Sequence, residues 1–166
     1  IEQAGADAIG IEFHSLSKTY NMTGWRVGFA IGNRALIGGL GKVKTNVDSG
    51  VFQAVQEAGI AALSGDQSPV AAMRALYRER RDVLLAALAR LGLEAQPVRG
   101  TFYVWVRVPR GFTSASLTAK LLQEIGVVVT PGSGFGAAGE GYIRFSLTVA
   151  TARLHEAVAR LGTLRL

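Results

Sequence analysis

The sequence contains no cysteine, which excludes a disulfide framework and any thiolate metal site. It has no apolar stretch approaching the roughly 20 residues that a bilayer-spanning helix needs. No basic segment followed by an apolar one marks a leader for export. Clusters of like charge interleaved with aromatics are also missing. The formal net charge of +6 is spread along the chain and reads as solvated surface rather than as a nucleic-acid footprint. Nothing repeats at a fixed period and nothing is low in complexity. The expectation from these absences is a soluble, cytoplasmic protein with no metal, no nucleic-acid partner and no membrane partner.

A hydrophobic content of 49% over 166 residues is enough for a real core, in one compact domain or in parts of two. The 21 glycines imply many tight connections. The first residue is not methionine, and Ile1 to Asp7 read as a connection already in progress, so the chain is expected to be a portion of a longer protein.

Chemistry is concentrated near the start. An apolar run from Ala8 to Phe13 predicts a short buried strand, and Val27 to Ile31 predicts a second. Between them stands His14-Ser15-Leu16-Ser17-Lys18-Thr19-Tyr20-Asn21-Met22-Thr23-Gly24-Trp25-Arg26. A lysine on a short connection between two buried strands is held near the core, where desolvation disfavours the ammonium and leaves an amine nucleophilic toward carbonyls. Ser15 and Ser17 add hydroxyl donors. Arg26 adds a planar cationic fork suited to a phosphate. One amine, two hydroxyls and one guanidinium suit a phosphorylated aldehyde. Taken singly, Lys18 could be a solvated loop lysine and Arg26 a surface charge.

As a set, Ser15, Ser17, Lys18, Asn21, Met22, Gly24, Trp25, Arg26 and Gly28 match the pattern Ser-x-Ser-Lys-x-x-Asn-Met-x-Gly-Trp-Arg-x-Gly. On these residues the chain resembles the fold-type I, pyridoxal-phosphate-dependent aminotransferases of class I/II. The resemblance implies pyridoxal 5'-phosphate as cofactor, bound covalently through Lys18, with Ser15, Ser17 and Arg26 on its phosphate. It implies that 1–67 are the end of a large cofactor-binding α/β domain with a mixed, mostly parallel sheet and helices. Residues 68–91 would then be a connecting helix, and 92–166 a small C-terminal α/β domain. The family's contacts to the pyridine ring come from a segment that would precede this one.

The residues support that partition. Arg34 to Val43 has helical spacing weakened by Gly38, Gly39 and Gly41, and Val51 to Leu63 has a clearer helical pattern. After Ser64-Gly65-Asp66-Gln67, Ser68 is expected to cap a long helix that starts at Pro69 and is ended by Gly92. Its Arg78-Glu79-Arg80-Arg81-Asp82 run reads as a solvated, salt-laced face. Beyond it, Thr101 to Val108 predicts a strand, Ser116 to Glu124 a helix, and Val127 to Val129 and Tyr142 to Leu147 two further strands. A terminal helix is expected to be capped by Thr151.

Two later stretches can carry chemistry. In Gly100-Thr101-Phe102-Tyr103-Val104-Trp105 a glycine precedes rings, which suits either an aromatic core strand or the wall of a pocket. In Gly139-Glu140-Gly141-Tyr142-Ile143-Arg144-Phe145-Ser146, Arg144 is a lone cation inside a strand-like run, and could be exposed or could grip a carboxylate bidentately. It follows the glycine-rich Pro131-Gly132-Ser133-Gly134-Phe135-Gly136, which lacks the lysine-serine pair of a P-loop. The resemblance implies that Arg144 binds the substrate α-carboxylate and that Gly100 and Thr101 border the substrate. It further implies transfer of an amino group between an amino acid and a 2-oxo acid, in a homodimer. Within the family the three stretches are most similar to LL-diaminopimelate aminotransferases of lysine biosynthesis. Aspartate- or alanine-type enzymes, a non-catalytic cofactor-binding sensor and an inactive fragment are the alternatives.

Overall fold

A computed structural model describes residues 2–166, so of the opening connection Ile1 lies outside the described residues. The chain is α/β and divides into two units, the first running to Ala71 and the second from Ala72 to Leu166.

The first unit is built on two antiparallel strands, β1 (Ile11–Ser15) and β2 (Gly28–Gly32), with Ile11 opposite Gly32 and Ser15 opposite Gly28. A short helix α1 (Ala6–Ile9) precedes β1, so the expected strand starts three residues later than the apolar run suggests. Gly28 has to be glycine, because a Cβ there would stand 2.4 Å from the His14 carbonyl oxygen. The strands were expected to be buried. Instead Phe13, Phe29 and Ile31 are exposed, because β1 and β2 pair only with each other among the described residues. A four-residue helix α2 (Leu16–Thr19) and a 3-10 turn (Thr23–Trp25) lie between them.

Helix α3 (Arg34–Lys44) forms despite its three glycines. Asn33 accepts hydrogen bonds from the Ala35 and Leu36 amides at 2.9 and 3.1 Å and donates to the Ala8 carbonyl at 2.7 Å. Lys42 and Lys44 sit in its last turn, where cations complement the helix dipole. Helix α4 (Gln53–Ser64) turns the buried Gly59 toward Leu16 and Val27.

Helix α5 (Ser68–Arg90) carries the boundary between the units. Ser68 is its first residue rather than its cap, and Asp66 Oδ1 accepts the Ser68 amide at 2.9 Å. Gly92, at φ +69°, terminates it as expected, with the Leu93 amide bonded back to the Leu88 carbonyl at 3.0 Å. The arginine-rich run is only partly a solvated face. Arg81 pairs with Asp82 at 2.7 Å but also donates to the Val98 carbonyl. Arg80 turns inward, donating to Thr151 Oγ1 and to the Leu147 carbonyl, both at 3.1 Å.

The second unit holds a three-stranded antiparallel sheet in the order β3 (Tyr103–Arg107), β5 (Tyr142–Ser146), β4 (Thr130–Pro131). Alternation is strict. Val104, Val106, Ile143 and Phe145 point inward, where they meet Leu84 and Leu88 of α5, Leu117 and Leu121 of α6 (Ser114–Ile125), and Leu161 of α7 (Thr151–Leu161). Each fully buried Leu or Ile contributes about 1.5–3 kcal/mol, so this cluster is a sufficient core for the unit. The strand expected at Val127–Val129 is displaced to Thr130–Pro131. Gly126, at φ +63°, ends α6, and the Val127 amide is already bonded to the Leu121 carbonyl at 3.1 Å. Thr151 is the first residue of α7 rather than its cap, its hydroxyl being the acceptor for Arg80.

Candidate functional site

Four of the predicted site residues lie on the connector between β1 and β2. Its base is closed by the Leu16 amide, which donates to the Val27 carbonyl at 3.3 Å. Ser15 ends β1 and caps α2, its hydroxyl oxygen accepting the Ser17 amide at 3.2 Å. Thr23 closes the middle, donating from Oγ1 to the Ser17 carbonyl at 3.0 Å, while its own carbonyl accepts Arg26 Nη1 at 3.0 Å. Two residues complete the reversal in left-handed backbone, Asn21 at φ +55° and Arg26 at φ +53°. Asparagine tolerates that region and arginine less so, so the position of Arg26 is a constraint that the closed connector maintains. Leu16 and Met22 are buried beneath it.

This connector leaves hydrogen-bonding capacity unspent. Ser15 Oγ accepts a bond but donates none among the described residues, and the Ser17 hydroxyl makes no bond there, although Ser17 is buried. Arg26 spends one of its five N–H groups on Thr23. Hydroxyls and a guanidinium fork with donors to spare are the kinds of group that bind anions. Lys18 stands on α2, directly after Ser17. It is exposed, contrary to the expectation of a lysine held near the core.

The other predicted residues belong to the second unit. Arg144 is on the outward face of β5, opposite Trp105. Its guanidinium carbon lies 3.9 Å from the centre of the Tyr103 ring, 4.2 Å from Phe135 and 6.0 Å from Trp105. Phe135 meets Trp105 edge-on at 5.2 Å. Among the described residues no carboxylate or hydrogen-bond acceptor partners Arg144. Stacked rings hold the fork without using its donors, which suits capture of a carboxylate from outside. Gly100 and Thr101 precede β3, with Thr101 at φ +67° and open space where a Gly100 side chain would be. The Leu147 amide is bonded to the Phe102 carbonyl at 2.9 Å, which fixes this turn beside the end of β5.

Reading residues one at a time left out Thr23, which links Ser17 to Arg26, and the three rings around Arg144. The period-two alternation of Tyr103 and Trp105 on the strand next to Arg144 was a usable signal for two of the rings. Phe135 comes from the glycine-rich loop, and only tertiary structure brings it there.

The first unit thus carries a lysine and unspent hydroxyl and guanidinium donors on one connector, and the second an aromatic-walled arginine. The family is settled by comparison: a family model described as Aminotransferase class I and II matches residues 4–161, and the chain belongs to that family. It is 57% identical over 164 residues to an LL-diaminopimelate aminotransferase of Syntrophobacter fumaroxidans, covering 99% of this chain and 42% of that protein. To the LL-diaminopimelate aminotransferase of Aquifex aeolicus it is 55% identical over 166 residues, covering 100% of this chain and 43% of the relative. The chain therefore spans about two fifths of the length of these curated relatives. Among solved structures it resembles substrate-bound BacF from Bacillus subtilis, with a TM-score of 0.87 and 39% identity over 97% of this chain and 42% of the other. An aminotransferase from Staphylococcus aureus gives a TM-score of 0.89 and 38% identity over 96% of this chain and 42% of the other.

Aminotransferases of this class work with pyridoxal 5'-phosphate. The connector's donor set fits that group: a primary amine for its aldehyde, with hydroxyl and guanidinium donors for its phosphate.

Proposed function

We propose that this chain is the C-terminal portion of a pyridoxal 5'-phosphate-dependent aminotransferase that moves an amino group between an amino acid and a 2-oxo acid. The observation that supports this reading is the closed connector, a short segment that carries Lys18 together with Ser15, Ser17 and Arg26, three side chains with unspent donors. Ser15, Ser17 and Arg26 hold the phosphate. When bound, the cofactor supplies an aldehyde for the amine and an electron-withdrawing ring that stabilises charge at the substrate α-carbon. Lys18 would anchor the cofactor and, when not engaged in that bond, its basic nitrogen would take the proton from the substrate α-carbon. Arg144 orients the substrate by its α-carboxylate, and Gly100 and Thr101 border it.

LL-diaminopimelate is the substrate favoured by relatives 55% and 57% identical, with a place in lysine biosynthesis. The intact protein is a cytoplasmic homodimer in this reading. The exposed apolar side chains of the first unit, among them Phe13, Val47 and Phe52, support a larger assembly, since such surface is normally covered. Residues 1–67 end the cofactor domain, 68–91 connect, and 92–166 form the small domain.

The test is to incubate the full-length protein with pyridoxal phosphate, reduce it with borohydride and map the modified peptide. Label on Lys18, with 2-oxo-acid formation from an amino donor, supports the reading. Label without turnover means a sensor instead. Loss of neither label nor turnover in Lys18→Ala would overturn it.

A further inference from the structure

We propose that Glu140 is a positioning residue, which ties the glycine-rich loop 132–140 to the start of α6 and so keeps Phe135 against Arg144. This rests on the reading of Arg144 as the carboxylate-binding residue.

The tie is made through Ser114, the first residue of α6, which is wholly buried. Glu140 Oε1 accepts the Ser114 amide at 2.8 Å, and Oε2 accepts the Ser114 hydroxyl at 2.7 Å. The Ser114 amide is one of the donors a helix leaves unsatisfied at its start, and a carboxylate there gains from both the bond and the helix dipole. The same Ser114 oxygen stands 3.1 Å from Ser133 Oγ and accepts the Ser133 amide at 3.4 Å, so both ends of the loop converge on one side chain. Between them the Gly132 and Gly139 backbones touch: a Cβ on Gly132 would stand 1.9 Å from the Gly139 oxygen. The loop is thus a closed ring of backbone with Phe135 at its tip, over Arg144 at 4.2 Å and edge-on to Trp105. If Glu140 is removed, the buried Ser114 amide loses its acceptor and the loop keeps only its tie at Ser133. One wall of the arginine's box then becomes mobile and the fork is less fixed for an incoming carboxylate.

The experiment uses the full-length protein with Glu140→Ala, Glu140→Gln, Phe135→Leu and the double variant Glu140→Ala/Phe135→Leu. Glu140→Ala is expected to raise KM for both the amino acid and the 2-oxo acid about tenfold while kcat stays within about threefold, the scale of one lost charge-assisted tie. Glu140→Gln keeps one acceptor and is expected to fall between it and wild type. Because both changes act through the same ring, the double variant should match Phe135→Leu rather than multiply the two effects. Amide hydrogen exchange over 132–141 should be faster in Glu140→Ala. An unchanged KM, multiplicative effects, or unchanged exchange in the loop would each overturn the proposal. A wild-type protein without turnover would count against the aminotransferase reading alone, and the exchange measurement would still decide whether Glu140 holds the loop.

Discussion

Arg144 lies over the ring of Tyr103 at 3.9 Å, although its direct partner across the sheet is Trp105 and Tyr103 stands opposite Ser146. The arginine therefore reaches diagonally along the sheet, a separation that only a long side chain and a ring can bridge. The contact immobilises the guanidinium by stacking and leaves its N–H groups for a ligand, as a salt bridge would not.

Arg144→Lys in the full-length protein should accordingly cost more than a like-charged exchange suggests. Lysine keeps the charge but loses both the planar fork and the stacking on Tyr103 and Phe135. We expect kcat/KM for the amino acid substrate to fall about 100-fold, equivalent to about 2.7 kcal/mol, chiefly through KM. Tyr103→Leu, which spares the fork but removes one wall, should cost about 1 kcal/mol. Steady-state kinetics with both variants decides the point, and equal activity of Arg144→Lys and wild type would remove Arg144 from the site.

The connector around Lys18 has its own test in Thr23→Val. The substitution keeps the shape and the carbonyl that receives Arg26, but deletes the hydroxyl bonded to the Ser17 carbonyl. A stability loss of about 1 kcal/mol is expected from denaturant titration. Pyridoxal phosphate should bind about three- to tenfold more weakly, measured by absorbance titration of the apoprotein, because Ser17 and Arg26 are no longer held to one another. Full affinity at reduced stability would show that Thr23 serves folding alone.

These sites differ in how far they could be seen in the sequence. The connector stood out in the sequence because its residues lie within fourteen positions. Arg144 stood out as a cation in a strand, yet Phe135 reaches it from a loop whose path depends on the Gly132–Gly139 contact, which no periodicity encodes. Burial was misjudged at β1 and β2, since an apolar run shows that a segment wants a cover and not which chain segment supplies it. Val127 to Val129 failed as a strand because the cap of α6 had already taken an amide. Ser68 and Thr151 are good capping residues displaced by one position, since side-chain preference there is weak beside the bonds to Asp66 and Arg80.

The two glycines of the loop should separate sharply on substitution. Gly132→Ala puts a methyl group 1.9 Å from the Gly139 oxygen and 2.5 Å from the Tyr142 oxygen, both backbone atoms that cannot step aside without breaking the loop. A loss of about 3 kcal/mol or more is expected. Gly134→Ala meets nothing within 4 Å and should stay within about 0.5 kcal/mol of wild type. Paired urea titrations measure both, and similar losses at the two positions would contradict the close backbone contact.

Acid should loosen the same loop through Glu140. Its bonds to the Ser114 amide, the Ser114 hydroxyl and the Gly141 amide hold the carboxyl below its ordinary value of 4.5. A carboxyl depressed in the folded state contributes stability that is fully present above its unfolded value. That contribution is lost as pH falls through the folded one. Wild type should therefore exceed Glu140→Gln in stability at neutral pH, and the gap should close progressively as pH drops below 4.5. Asp48 and Asp66 are also depressed, by Lys44 and by Ser68, but both variants retain them and their effect cancels in the difference. Denaturant titrations of the two proteins across the acid range give that difference directly. A gap independent of pH would mean that Glu140 stabilises the loop by packing, with its charge taking no part.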